Sequence, residues 1–259
     1  MPSLLDLAKA CEASYQNIPE LEGWTRLQRY GPRTSGFFGV LFRRQLDNGI
    51  FENILAYRGT DGLLDGDMAS NRDILRGRMV RQFPDAFAAL RDALERSEGH
   101  VLYITGHSLG GGLAALCSVD KWRRGRRDLP TVTFNAPGVT RSARHLWGKG
   151  SVRFARDRVM NGLDTYYNSH RKSLHVQTEG DPVANFGTPT MRELLTLPNL
   201  ACESRARETL PETHRHRSEL GMVPTLQLRT YTALCAHSIR NLVQVLERDP
   251  IYQEPLEWS

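Results

Sequence analysis

Residues 101–112, Val-Leu-Tyr-Ile-Thr-Gly-His-Ser-Leu-Gly-Gly-Gly, restrict what this chain can become more than any other segment. A β-prone apolar run, Val101 to Ile104, leads into Gly106-His107-Ser108-Leu109-Gly110, and an apolar helical segment continues from Leu113 to about Trp122. A G-x-S-x-G pattern between a strand and a helix predicts a sharp turn that presents the serine hydroxyl. Gly106 and Gly110 are the elbow glycines: strand and helix nearly collide there, and a residue without Cβ tolerates the approach. Ser108 then sits at a helix N-terminus, where N–H groups and the helix dipole favour developing negative charge. The N–H of Leu109 is the first candidate donor to an oxyanion.

The rest of the chain supplies a sheet for this turn. Ser3 reads as the N-cap of an amphipathic helix using Leu4, Leu7, Ala8 and Cys11. Phe37 to Gln45 and Ile50 to Tyr57 read as paired strands across the hairpin signal Asp47-Asn48-Gly49. A long helix is expected over about 79–96, from Phe83, Phe87, Leu90 and Leu94. Thr131 to Asn135 and Ser173 to Thr178 are short buried-type strands, and a last helix is expected from about Ala236 to Glu247. Strands alternating with helices predict an α/β protein with a mostly parallel sheet, helices on its faces and an antiparallel hairpin at one edge. The 259 residues suit one domain, 1–259. Residues 188–231 break the alternation and read as a cap or insertion, with Met191, Leu194, Leu195 and Leu197 in a helix-like run.

A nucleophilic serine needs a base, a group that orients the base, and oxyanion donors. Asp181 follows the strand Ser173–Thr178 inside a Gly180-Asp181-Pro182 turn, with Glu179 as the neighbouring alternative. Of the histidines after Ser108, His237 lies at the start of the last helix and after the candidate acid, the order serine, acid, histidine. His175 lies within a strand and is expected to pack, and His214 in a charged segment is the alternative base. Arg58-Gly59-Thr60 closes a strand that should neighbour the elbow, which makes Thr60 the second candidate oxyanion donor.

Tyr57-Arg58-Gly59-Thr60-Asp61, Thr105-Gly106-His107-Ser108-Leu109-Gly110-Gly111, Phe134-Asn135-Ala136-Pro137-Gly138, Gly180-Asp181-Pro182-Val183 and His237-Ser238-Ile239, in this order, resemble the class 3 lipase family over about residues 35–248. The resemblance implies an α/β-hydrolase fold with no metal and no cofactor. It implies triglyceride lipase, phospholipase A1 or general carboxylesterase activity. By carry-over Ser108 is the nucleophile, Asp181 the acid, His237 the base, and Thr60 with Leu109 the oxyanion hole. The family's lid follows its oxyanion segment, whereas residues 74–82 here are short and polar; the 188–231 insertion is the alternative cover.

Composition narrows the remaining choices. No apolar run approaches the roughly 20 residues that span a bilayer. Cys11, Cys117, Cys202 and Cys235 are widely spaced; Cys117 and Cys235 lie in apolar helical surroundings, so buried free thiols are expected. His214-Arg215-His216 lacks further ligands at metal spacing. The formal charge is +5, with arginines clustered at 123–127, 141–144, 153–158 and 205–217. No nucleic-acid reading element accompanies them, so no nucleic-acid partner is expected. They form a solvated face or favour peripheral contact with an anionic membrane surface, at about 1 kcal/mol per residue. The first ten residues lack the basic and apolar regions of a signal peptide, so the chain is expected to be cytoplasmic as synthesised. On this ground a secreted antibacterial lipase effector, delivered without a signal peptide and met by an immunity protein, is a further expectation. The main expectation is a phospholipase A1 or lipase with a lipid substrate. Its rivals are a short-chain esterase or thioesterase on soluble substrates and a non-catalytic binding protein on a hydrolase fold.

Overall fold

A computed structural model describes residues 1–16, 18–59, 81–125, 129–143, 172–184, 193–198 and 236–258. Among these, seven strands form one sheet in sequence order: β1 (Thr25–Tyr30), β2 (Gly39–Gln45), β3 (Phe51–Tyr57), β4 (Val101–His107), β5 (Thr131–Phe134), β6 (Ser173–Thr178) and β7 (Glu193–Leu197). The first three run antiparallel, and β3 through β7 pair in parallel. The hairpin between β2 and β3 closes where the sequence places Asp47-Asn48-Gly49. Gly49 has φ 77, and the Ile50 N–H donates to Asn48 Oδ1 at 3.0 Å.

Helices cover both faces, as the near-continuous apolar runs of the central strands require. On one face Leu55 and Tyr57 of β3 meet α2 (Phe83–Arg96) and α3 (Leu109–Gly125), through Phe83, Leu90, Leu113 and Leu116. On the other, Ile54 and Ala56 with Val132 and Phe134 meet α1 (Leu4–Ala13) and α5 (Ile239–Arg248). A short helix, α4 (Thr140–Ala143), follows β5, and a 3-10 turn (Pro250–Gln253) follows α5. α1 and α5 also pack directly on each other. The cap of α1 is the one its sequence predicts: Ser3 Oγ accepts from the Asp6 N–H, and Asp6 Oδ2 accepts from the Ser3 N–H, both at 3.0 Å. The fold is α/β, as expected.

Several boundaries differ from expectation. β1 carries no alternating apolar pattern and is mostly half-buried or exposed, so the sequence offers no sign of it. α2 begins at Phe83, not near residue 79, because Pro84 occupies its first turn, where the missing N–H costs nothing. Leu194, Leu195 and Leu197 belong to β7, not to a helix-like run. Their segment pairs with β6 from Leu174↔Glu193 to Thr178↔Leu197 and is part of the sheet, although it falls within 188–231. The remainder of that expected cap, apart from Pro198, and residues 74–80 of the lid segment lie outside the described residues.

Of the basic clusters, Arg123 and Arg124 are described, and both are committed. Asp120 is fully buried in α3 and accepts from Arg123 at 2.7 Å and from Arg124 at 2.7 Å, while Arg124 stacks over Phe87. Cys11 and Cys117 are buried free thiols, and burial pushes the Cys11 thiol up to about 12. Cys202 and Cys235 lie outside the described residues. Among the described residues, no helix is long and apolar enough to cross a membrane.

Candidate active site

The site forms at the C-terminal ends of the parallel strands, where strand ends and helix N-termini leave backbone groups unpaired by the sheet. β4 ends at His107 and α3 begins at Leu109, so Ser108 alone makes the turn, with φ 56. A non-glycine residue in the left-handed region is strained, and it persists because its surroundings fix it. The Ser108 N–H donates to the Phe134 carbonyl at 2.9 Å, and the Gly112 N–H donates to the Ser108 carbonyl at 3.1 Å.

The glycines answer to the same crowding. A Cβ on Gly106 would collide with the carbonyl group of Gly110, and one on Gly110 with the carbonyl oxygen of Tyr57. A Cβ on Gly111 would stand 2.6 Å from Ala136 Cβ. The elbow therefore needs three close approaches between α3 and its flanking strands, and Gly111 belongs to the set although the motif does not include it.

Ser108, His237 and Asp181 come together. His237 Nε2 lies 2.8 Å from Ser108 Oγ, and His237 Nδ1 lies 2.8 Å from Asp181 Oδ2. A carboxylate only accepts, so Nδ1 carries the ring proton and Nε2 accepts the serine hydroxyl. Asp181 is fully buried, His237 is 3% exposed and Ser108 7% exposed. The second Asp181 oxygen accepts the N–H groups of Val183 at 2.6 Å and Ala184 at 3.1 Å, which fixes the carboxylate plane. His237 stands immediately before Ser238, whose Oγ caps α5 by accepting the Asn241 N–H at 3.4 Å.

The other candidates divide. Leu109 is buried as the first residue of α3, beside Ser108. Thr60 and the alternative base His214 lie outside the described residues, although Gly59, immediately before Thr60, does not. A Cβ on Gly59 would come within 3.0 Å of Ser108 Cβ, so the end of β3 abuts the serine. The alternative acid Glu179 makes no contact with His237; its N–H donates to the Leu197 carbonyl at 2.8 Å. His175 packs as expected: it is 2% exposed and its Nδ1 lies 2.8 Å from Thr133 Oγ1. Burial pulls its pKa down to about 4. Among the described residues, no group of three His, Cys, Asp or Glu side chains could hold a metal ion.

Three neighbours of the site have no role in the sequence reading. Asn135, at φ 47, holds the backbone of both β6 and the His237 segment through its side chain. His107 packs its ring against that of His237 at 4.9 Å between centroids. Tyr15, beyond α1, reaches His107. Their partners are tens of residues away, which no local pattern records.

The family described as Tle-like phospholipase domain matches residues 8–215, a span that includes Ser108 and Asp181 and stops before His237. Comparison with curated proteins gives no match. Among solved structures, the chain resembles a triacylglycerol lipase from Penicillium expansum at 15% identity, over 52% of this chain and 57% of that one, with TM-score 0.36. It resembles the Rhizomucor miehei lipase propeptide complex at 15% identity, over 70% and 60%, with TM-score 0.42. It also resembles the Lip2 lipase from Yarrowia lipolytica at 15% identity, over 70% and 71%, with TM-score 0.44. The chain spans less than two thirds of the length of the first two.

Proposed function

This chain belongs to the Tle-like phospholipase domain family, and from that premise we propose that it hydrolyses carboxylic esters of phospholipids through an acyl-enzyme on Ser108. The observation that carries the reading is the unbroken hydrogen-bonded series from Ser108 Oγ through His237 to Asp181, at 2.8 Å and 2.8 Å. In this reading Ser108 is the nucleophile, His237 the general base and Asp181 the group that holds the base in one tautomer.

The steps follow from that order. As Ser108 Oγ attacks the ester carbonyl, His237 Nε2 takes its proton, and the imidazolium that forms faces the Asp181 carboxylate. The N–H of Leu109, at the helix N-terminus, donates to the tetrahedral oxyanion, and Thr60 is the second donor; each such donor accounts for about 100- to 1000-fold in rate. The protonated His237 then gives its proton to the leaving alcohol. Water attacks the acyl-enzyme by the same route in reverse, and the serine is restored. A phospholipase A1 of the class 3 lipase branch is the finer form of this reading, carried by the Tyr57–Asp61 and Phe134–Gly138 segments.

The test sets vesicles of phosphatidylglycerol or phosphatidylethanolamine beside a short soluble nitrophenyl ester, for the wild type and Ser108→Ala. Release of fatty acid from vesicles by the wild type alone is the expected result, and the position of the released chain sets the regiochemistry. Serine-dependent cleavage of the soluble ester only would make the protein an esterase. No serine-dependent turnover of either would favour a non-catalytic hydrolase fold.

A further inference from the structure

Three polar contacts run in series beside Ser108, and the hydrolytic scheme above uses none of them. The Gly59 N–H donates to Tyr15 Oη at 3.0 Å. Tyr15 Oη lies 2.9 Å from His107 Nδ1. His107 Nε2 lies 2.6 Å from the carbonyl oxygen of His237.

The direction of each bond is fixed by chemistry. A backbone carbonyl only accepts, so His107 Nε2 carries a proton and donates it. His107 is 5% exposed, and burial together with the neighbouring His237 holds its pKa well below the ordinary value. The ring is therefore neutral, and its Nδ1 accepts the Tyr15 hydroxyl proton. That leaves the Tyr15 oxygen to accept from Gly59. Both ring nitrogens of His107 are spent on holding neighbours, and neither faces the serine hydroxyl as a base.

The two ends of the series are the two sides of the reacting centre. Gly59 is the residue before Thr60, and a Cβ there would stand 2.5 Å from Tyr15 Oη, 2.7 Å from the His107 carbonyl oxygen and 3.0 Å from Ser108 Cβ. At the other end the His237 carbonyl belongs to the base itself. The rings along the way are in contact: Tyr15 meets His107 edge-on at 5.8 Å, and His107 meets His237 at 4.9 Å.

We propose that Tyr15 and His107 are positioning residues, which tie the end of β3 to the backbone of the base and so hold the oxyanion side and the base side of Ser108 at one spacing. The inference rests on the proposed hydrolysis. His107 has this work because it precedes the serine: the elbow turns Ser108 outward and leaves the preceding side chain buried under the His237 segment. Tyr15 brings the contribution of α1, which is otherwise a packing element.

The variants are Tyr15→Phe, His107→Leu and the double variant, studied in the full chain with ester turnover, the rate of Ser108 modification by a fluorophosphonate, and thermal melting. Tyr15 is half-buried, so Tyr15→Phe keeps the ring packing and removes one oxygen. The expected result is a fall of about tenfold in kcat, the equivalent of about 1.4 kcal/mol, with KM within about twofold and a melt lowered by no more than the two hydrogen bonds of Tyr15 Oη account for. Fluorophosphonate modification slows in step. His107→Leu loses more, and adding Tyr15→Phe to it costs little further, because residues of one series couple. A Tyr15→Phe enzyme with wild-type kcat and modification rate overturns the proposal. So does a loss confined to the melting temperature, or strictly additive losses. A wild type whose Ser108 does not react at all fails the hydrolase reading itself, which is a different result from any of these.

Discussion

The side chain of Asn135 donates from Nδ2 to the carbonyl oxygen of Ala236 over 2.9 Å, so the residue preceding His237 hangs from the turn that ends β5. The same side chain accepts the Thr178 N–H at 2.8 Å, which ties in the strand that leads to Asp181. One amide thus ties together the backbones that lead to His237 and to Asp181. Asn135→Ala removes these two bonds and a third, from Nδ2 to Thr178 Oγ1 at 3.3 Å, at a fully buried position and leaves an alanine at φ 47. At about 1 kcal/mol per bond and about 1–2 kcal/mol for the left-handed backbone, urea unfolding should show a loss of roughly 4–5 kcal/mol. Asn135→Gly should recover the backbone share of the stability and leave turnover low. Equal activity of Asn135→Gly and the wild type would show that the amide spaces nothing.

Asp181→Asn separates orientation from charge. The oxygen that accepts from Val183 and Ala184 survives in an amide, so the turn should stand. The amide nitrogen would face His237 Nδ1, however, and select the tautomer with its proton on Nε2, which cannot take the serine proton. By the precedent of serine proteases, kcat should fall about 10⁴-fold with little change in melting temperature. Measured turnover within tenfold of wild type would remove Asp181 from the mechanism.

The elbow tolerates no Cβ at Gly110. An added methyl would overlap the Tyr57 carbonyl oxygen and lie 2.7 Å from the Tyr57 carbonyl carbon and 2.8 Å from that of Arg58. These are backbone atoms of the neighbouring strand and cannot swing aside. Gly110→Ala should cost at least the 1–3 kcal/mol typical of overpacking and disable the serine, read by denaturant unfolding and by fluorophosphonate modification. A stable, reactive Gly110→Ala protein would contradict the geometry of β3 against α3.

Acid should weaken the fold through its buried histidines. His175 is neutral in the folded chain, with its pKa pulled from 6.5 to about 4 by burial, against an opposing pull from Asp181. Above pH 6.5 neither state binds the proton and the group contributes no slope. Between there and about 4 the unfolded chain binds it first, so stability is lost as pH falls. From pH 7 to 5 the loss from this one group is on the order of 2 kcal/mol. His107, also held low, adds to the same slope. Urea midpoints for wild type and His175→Gln should diverge at pH 7 and converge towards pH 5. Parallel curves would refute a buried neutral His175.

What the sequence made legible follows from how local each cause is. The elbow is a steric demand on neighbouring residues, so Gly106, Ser108 and Gly110 disclose it. Asp181 and His237 became candidates through chain order and their places at a strand end and a helix start. Tyr15 and Asn135 gave no such signal, since their hydrogen bonds reach 92 residues to His107 and 101 to Ala236. β7 was misread because Leu194, Leu195 and Leu197 fit a helical face as readily as a strand. Among the described residues it is the last strand of the sheet; its burial alternates, but Leu194 on the outward side is exposed, so the residue types do not. β1 failed similarly: it is the first strand of the sheet among the described residues, and only Tyr30 at its end is buried.

α1 lies against α5, and Ser108 meets His237 across 129 residues of chain. Opening of that one helix pair would withdraw Tyr15 and loosen the mount of His237 together, while β4 and α3 kept the elbow intact. Such a partly opened molecule would still display its serine but have no partner to ionise it. On the proposed mechanism, parting of the seam between the first and last described α-helices would silence the serine while the sheet still stood.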